Sequence, residues 1–376
     1  MDDAYTPPES DLKTEFLAML QELVSGDGSD LHIKAGSPPM VRENGFLRRL
    51  DLAPVTSPRA SELATAIIPQ DRHGRFDTEG EVDFALSVPH VGRFRANVFR
   101  QRGSVSMVFR KLRTGGPTFD EIGIPPVVQR LSEEGRGLIL VTGPTGSGKT
   151  TTLAAMIQYI NATRPVHIVT IEDPIEVLHS DQMASVNQRE VGQDSQSFLT
   201  ALRAALRQDP DVILIGEMRD SETVQAALQA AETGHLVLST LHTVDATETV
   251  NRIVDFYPPH QQDQARLTLA GSLKGIVCQR LVRGTSGGRV PCVEVLVNTG
   301  RISERISDSK RTSEISQVMS EGDYYGMRTF DQALVELVRQ GIVRAEDAFE
   351  AATSAHDLEL MLKSAGVVDS ALSFAR

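Results

Sequence analysis

The eight residues Gly143-Pro144-Thr145-Gly146-Ser147-Gly148-Lys149-Thr150 carry the most explicit chemistry in the sequence. The glycines let the backbone bend so that successive N–H groups converge on phosphate oxygens. Lys149 then reaches the β- and γ-phosphates, and the Thr150 hydroxyl offers Mg²⁺ a hard oxygen ligand. An apolar run, Leu138 to Val141, precedes this stretch and a helical pattern from Thr151 to Ile157 follows it. That strand-loop-helix setting is the one in which such a loop binds phosphate. No Asn-Lys-x-Asp segment for reading guanine occurs, so ATP is the expected nucleotide.

A phosphate loop needs carboxylates at neighbouring strand ends to hold magnesium and to orient the attacking water. Two segments offer them. Asp211-Val212-Ile213-Leu214-Ile215-Gly216-Glu217 is an apolar strand ending in a carboxylate, which makes Glu217 a candidate for the magnesium shell or for activating water. Val169-Thr170-Ile171-Glu172-Asp173-Pro174-Ile175-Glu176 is the second, with Glu172 as a candidate for polarising the water and Asp173 behind it. His235 and His242 bracket another apolar strand. They read either as ordinary strand-end histidines or as sensors of the γ-phosphate, because a neutral imidazole donates or accepts one hydrogen bond according to its tautomer. Alternation further upstream places Arg93 and Arg95 opposite Phe94 and Ala96, and Arg110 opposite Phe109. This basic face is either a solvated sheet surface or a set of arginine fingers for a neighbouring subunit's nucleotide.

The elements that must position these groups fall into two parts. With 376 residues and a prior of about 150 per domain, two domains are expected. Residues 1–112 read as a small α+β domain. After a short, disordered-looking start comes an amphipathic helix through Phe16, Met19, Leu20 and Leu23. Short strands then flank the hairpin signal Asn44-Gly45, a helix opens at Ser57-Pro58, and three alternating strands run around Phe84, Phe94 and Phe109. Residues 113–118, rich in glycine and ending near Pro117, read as a linker, and 119–376 as an α/β domain with a helical extension from about 300. There, strand runs at 138–141, 167–171, 212–215 and 236–238 alternate with helical patterns, which implies a parallel sheet covered by helices. The runs 277–282 and 290–297 read as an adjacent pair.

Composition narrows the function classes. The chain is 40% hydrophobic and 23% charged, within the ordinary range for a soluble protein. No apolar run approaches the roughly 20 residues of a membrane span, and the acidic, proline-bearing start is unlike a secretory signal, so a cytosolic protein is expected. A net charge of −12 argues against general nucleic-acid binding. Cys278 and Cys292, the only two cysteines, cannot form a paired-cysteine zinc site and read as core residues.

Taken jointly, these segments resemble the secretion ATPase superfamily that drives type II secretion and type IV pili, and within it the pilus retraction (twitching motility) ATPases. The resemblance spans nearly the whole chain. It rests on Ser29-Asp30-Leu31-His32, the phosphate loop, Ile171 to Glu176 as the aspartate box, Gly216-Glu217-Met218-Arg219-Asp220 as Walker B, Thr233 to Thr243 as the histidine box, and Tyr325 to Leu334. It implies an Mg²⁺-dependent ATPase that forms a homo-hexameric ring, with a PAS-like amino-terminal domain and a RecA-like motor domain. It also implies that Arg95 and Arg110 approach the nucleotide, and that the ring engages a platform protein at the cytoplasmic face of the inner membrane without spanning it. Assembly and type II secretion ATPases usually have a long extra amino-terminal domain and a four-cysteine zinc motif, which this chain lacks; that favours the retraction branch. The helix from Thr299 to Ser307 matches the retraction motif only in part, so another ring-motor task stays open. A nucleic-acid motor and a non-hydrolysing, nucleotide-gated scaffold are the readings from other classes.

Overall fold

The computed structural model describes residues 9–367, and the short, disordered-looking start expected from the sequence lies outside them. The chain divides into two compact units, Met1–Arg113 and Thr114–Arg376.

The first unit is an antiparallel sheet covered on one face by helices. Its strands are β1 (Asp30–Lys34), β2 (Met40–Glu43), β3 (Phe46–Arg49), β4 (Glu81–Val88), β5 (Gly92–Gln101) and β6 (Ser104–Lys111), in the order β3-β2-β1-β6-β5-β4. The β2–β3 hairpin turns at Asn44 (φ 49°) and Gly45 (φ 86°), the two left-handed positions that the Asn-Gly signal anticipates. Phe16, Met19, Leu20 and Leu23 of the helix Glu9–Ser25 are buried, at the spacing that puts them on one helical face. Phe16 packs on Phe109 with ring centroids 4.8 Å apart. The helix Ser57–Ile67 carries Pro58 in its first turn, and its cap is Thr56 rather than Ser57: the Thr56 hydroxyl accepts from the Arg59 N–H. Because Phe94, Ala96, Val98, Met107 and Phe109 point into this core, the intervening residues must face the other way.

The second unit is built on seven strands: β7 (Gly137–Thr142), β8 (His167–Glu172), β9 (Ser185–Glu190), β10 (Val212–Ile215), β11 (Leu236–Leu241), β12 (Leu273–Arg283) and β13 (Arg289–Val297). Their order is β9-β8-β10-β11-β7-β12-β13, parallel throughout except for the antiparallel edge strand β13. Parallel neighbours require crossovers, and helices cover both faces. Leu138, Leu140, Ile213 and Ile215 pack into one core, while Ile139, Val141, Val212 and Leu214 pack into the other. This is why these strands read as unbroken apolar runs instead of alternating ones. All the carboxyl ends of the parallel strands open on one edge, where α/β sheets bind ligands.

Helices follow from Gly300 onward, among them Gly300–Ser307, Phe330–Arg339 and Ala355–Ser364. They join the sheet through a buried carboxylate on β13. Glu294 accepts the backbone N–H of Ala246 at 2.9 Å, at the start of the helix Ala246–Asp255, and that of Phe330 at 3.3 Å, at the start of Phe330–Arg339. Burial pushes its carboxyl up to about 7 against the pull of these two donors. Both cysteines are buried and unpaired, with burial raising each thiol, that of Cys292 to about 12. Among the described residues no helix is long and apolar enough to cross a membrane.

Candidate active site

The loop Gly143–Gly148 leaves β7 and turns into the helix Lys149–Thr163. Gly143 (φ 141°), Gly146 (φ 78°) and Gly148 (φ 93°) occupy conformations that other residues rarely adopt. At Gly143 space is also decisive, because a Cβ would stand 2.4 Å from the Gln279 carbonyl and 2.7 Å from Ser147 Oγ. Lys149 folds back over its own loop, its ammonium donating to the carbonyls of Gly143 at 2.7 Å and Pro144 at 3.1 Å. Burial holds its pKa below the usual lysine value, and the charge of Glu217 opposes that shift.

Thr145, Gly146, Gly148, Lys149 and Thr150 line a cavity of about 510 Å³ together with Glu172, Glu217 and His242. Glu217 lies two residues beyond β10, on a turn held by β11: Thr240 Oγ1 donates to the Gly216 carbonyl at 2.6 Å, and Ser239 Oγ to that of Ile215 at 2.8 Å. Asp220 caps the next helix by accepting the Thr223 N–H at 2.8 Å, which ties down the far side of the turn. The Glu217 carboxylate meets Arg219 at 2.8 Å and His242 Nε2 at 3.1 Å. Burial alone pushes this carboxyl up, but Arg219 and His242 outweigh it and leave it below the usual carboxylate range. Glu172 is treated oppositely. Its Oε1 accepts from Thr170 at 2.6 Å and Gln188 at 3.1 Å, and burial nevertheless holds the carboxyl above its usual value.

Of the residues that the sequence singles out, the cavity thus gathers Thr145, Gly146, Gly148, Lys149 and Thr150 of the loop with Glu172, Asp173, Glu217 and His242. His235 does not join them. It precedes β11, whose first residue pairs with Gly137 and whose last pairs with Thr142 at the loop. A strand of six residues separates the two histidines by about 20 Å, so His235 stands at the opposite edge of the sheet, its Nδ1 2.9 Å from the Ala230 carbonyl. Two histidines at the ends of one strand cannot both attend one phosphate of the same subunit. In the first unit, Arg95 and Arg110 are register partners on β5 and β6, and Arg110 Nε donates to Asp30 Oδ1 at 2.8 Å.

Arg219, Thr170, His179 and Arg289 also line the cavity, and the sequence reading gave none of them a role. Arg219 could have been found, since it sits two residues from Glu217 in the same short motif. Thr170, on the same strand face as Glu172, carried a similar signal. Nothing in the sequence points to His179 or Arg289, which line the cavity from a crossing segment and from β13. Burial lowers the His179 imidazole to about 4, so it is neutral there.

A family model described as type II/IV secretion system protein matches residues 60–350. The chain belongs to this family. It is 45% identical over 324 residues to the type IV pilus retraction ATPase PilT of Pseudomonas aeruginosa, covering 86% of this chain and 94% of that protein. It is 44% identical over 311 residues to a twitching motility protein of Neisseria gonorrhoeae, with 82% and 83% covered. A crystal structure of the pilus retraction motor PilT with bound ADP superposes with a TM-score of 0.84 at 46% identity, covering 92% of this chain and 99% of that one. The fold class is therefore the α/β, RecA-like motor architecture with a smaller α+β unit before it.

Proposed function

We propose that this family member is an Mg²⁺-dependent ATPase whose homo-hexameric ring powers type IV pilus retraction. The observation that carries the ATPase reading is the placement of Lys149, Thr150, Glu172 and Glu217 around one cavity at the carboxyl edge of the sheet. Retraction is supported by the identity to the two retraction and twitching proteins along most of their length.

Loop N–H groups and Lys149 hold the phosphates, with Lys149 exchanging its carbonyl contacts for phosphate oxygens. Thr150 and Glu217 would hold Mg²⁺. Their donors are oxygens, as this ion requires, and phosphate and water oxygens would complete its shell. When bound there, the ion would supply positive charge against that developing on the transferred phosphoryl group. Glu172 polarises the attacking water: a carboxylate held above its usual pKa is the better proton acceptor. His242, on Glu217, is placed to respond to the state of that carboxylate. Arg95 and Arg110 serve as arginine fingers for a neighbouring subunit's nucleotide, and the ring works peripherally on an inner-membrane platform protein from the cytoplasmic side.

One observation favours a second reading, pilus assembly or secretion by the same ring. In the helix Gly300–Ser307, Arg301 and Arg305 are tied to Glu321 and Glu314, so the partial retraction motif is engaged within its own subunit. Lys149→Ala should abolish phosphate release and nucleotide binding together, and retention of turnover would end the ATPase reading. Deleting the gene in its host should leave surface filaments abundant and non-retracting. Loss of filaments would favour assembly.

A further inference from the structure

Gln188 lies on β9, which runs parallel to β8 with Gln188 opposite Thr170. Its amide is used at both ends. Nε2 donates to Glu172 Oε1 at 3.1 Å and to the Val177 carbonyl at 2.8 Å, while Oε1 accepts the His179 N–H at 2.8 Å. Thr170 donates to the same Glu172 oxygen at 2.6 Å. An amide engaged this way cannot turn without breaking bonds on two segments, and Val177, His179 and Glu172 all line the cavity.

We propose that Gln188 is a positioning residue for ATP hydrolysis: its amide orients the Glu172 carboxylate and locks the Val177–His179 crossing into the same frame. The proposal rests on the reading of Glu172 as the group that polarises water. A side chain present only to fill space would have no need of three hydrogen bonds, all to one functional carboxylate and the segment that follows it. Burial pushes the Glu172 carboxyl up, and the Thr170 and Gln188 donors pull it partly back. Removing either donor therefore misplaces the carboxylate and raises its pKa further.

The test uses the full-length protein. Q188L should lower kcat roughly ten- to a hundredfold, the cost of a small misplacement at a reacting centre. ATP affinity, read with a fluorescent ATP analogue, should stay near wild type, and the acid limb of the kcat profile should move to higher pH. T170V removes the other donor without touching β9 and should move the limb the same way; T170S, which keeps the hydroxyl, should restore it. Wild-type kcat and acid limb in Q188L overturn the proposal, as does a loss of ATP affinity that accounts for the whole loss of rate. If thermal unfolding shows Q188L to be misfolded, Q188M, an unbranched side chain without the amide, takes its place with the same two readouts. E172Q separates the two readings: unchanged turnover there removes Glu172 from catalysis, whereas reduced turnover beside an unaltered Q188L removes only Gln188.

Discussion

Glu172 and Glu217 end neighbouring strands and face one cavity, yet their surroundings push them apart. Glu217 sits among charges, with a guanidinium and an imidazole on its oxygens, and is held ionised. Glu172 has only neutral donors, a threonine hydroxyl, a glutamine amide and the Glu176 backbone N–H, which orient it without offsetting the burial that raises it. Two carboxylates at one phosphate site therefore do not make two copies of one function. The charged surroundings suit a group that must stay anionic beside a cation, and the neutral ones suit a group that must take up a proton and release it.

The largest expected effect tests whether the two roles differ at all. Glu172→Gln and Glu217→Gln should each cut turnover by roughly 10² to 10⁴, the range for a positioned acid–base group. Both should leave ATP binding nearly intact, but only Glu217→Gln should weaken the Mg²⁺ dependence of binding. Identical Mg²⁺ titrations for the two variants would collapse the distinction. A smaller effect concerns pH. Because Glu172 is raised and Glu217 lowered, the proposed roles predict that the acid limb of kcat reports Glu172 and lies above the ordinary carboxylate range. Arg219→Ala should cost no more than about fivefold, the scale of an exposed ion pair, and should leave that limb in place; a displaced limb would assign it to Glu217 instead.

The smallest effect uses a third carboxylate as the reference. Glu294 is buried like Glu172 but lies away from the cavity, and its folded pKa of about 7 exceeds the ordinary 4.5. Between those values the folded protein binds a proton that the unfolded chain has released, so stability falls as pH rises through the window. The span from this group is at most about 3 kcal/mol. Glu294→Gln should flatten the pH dependence of the unfolding midpoint between about 4.5 and 7 while leaving the acid limb of kcat unchanged. An undiminished slope would mean that the acidic arm of stability comes from elsewhere.

Much of this site was legible because its parts are local. A loop of eight residues, an apolar strand ending in Glu217 and another ending in Glu172 each carry their signal within one window, and the buried parallel strands show as unbroken apolar runs. What escaped was set by distance or by an edge. The run Ser185–Glu190 is largely polar because β9 is a sheet edge, so its strand character, and with it the role of Gln188, had no periodicity to announce it. His235 and His242 looked equivalent because spacing along a strand does not say which end meets the ligand; only the parallel register with β7 does. Arg289 arrives from a hairpin far away in sequence, and no local pattern encodes that closure.

Glu294 has one further consequence. Its two oxygens are spent on two different helices, one beginning four residues after His242 and the other running from Phe330 to Arg339. A single carboxylate so divided acts as a yoke: a tilt of the first helix either drags the second or tears a buried hydrogen bond, and neither can drift alone. Through Glu294 the start of the Phe330–Arg339 helix is thus fastened to the start of the helix that follows His242.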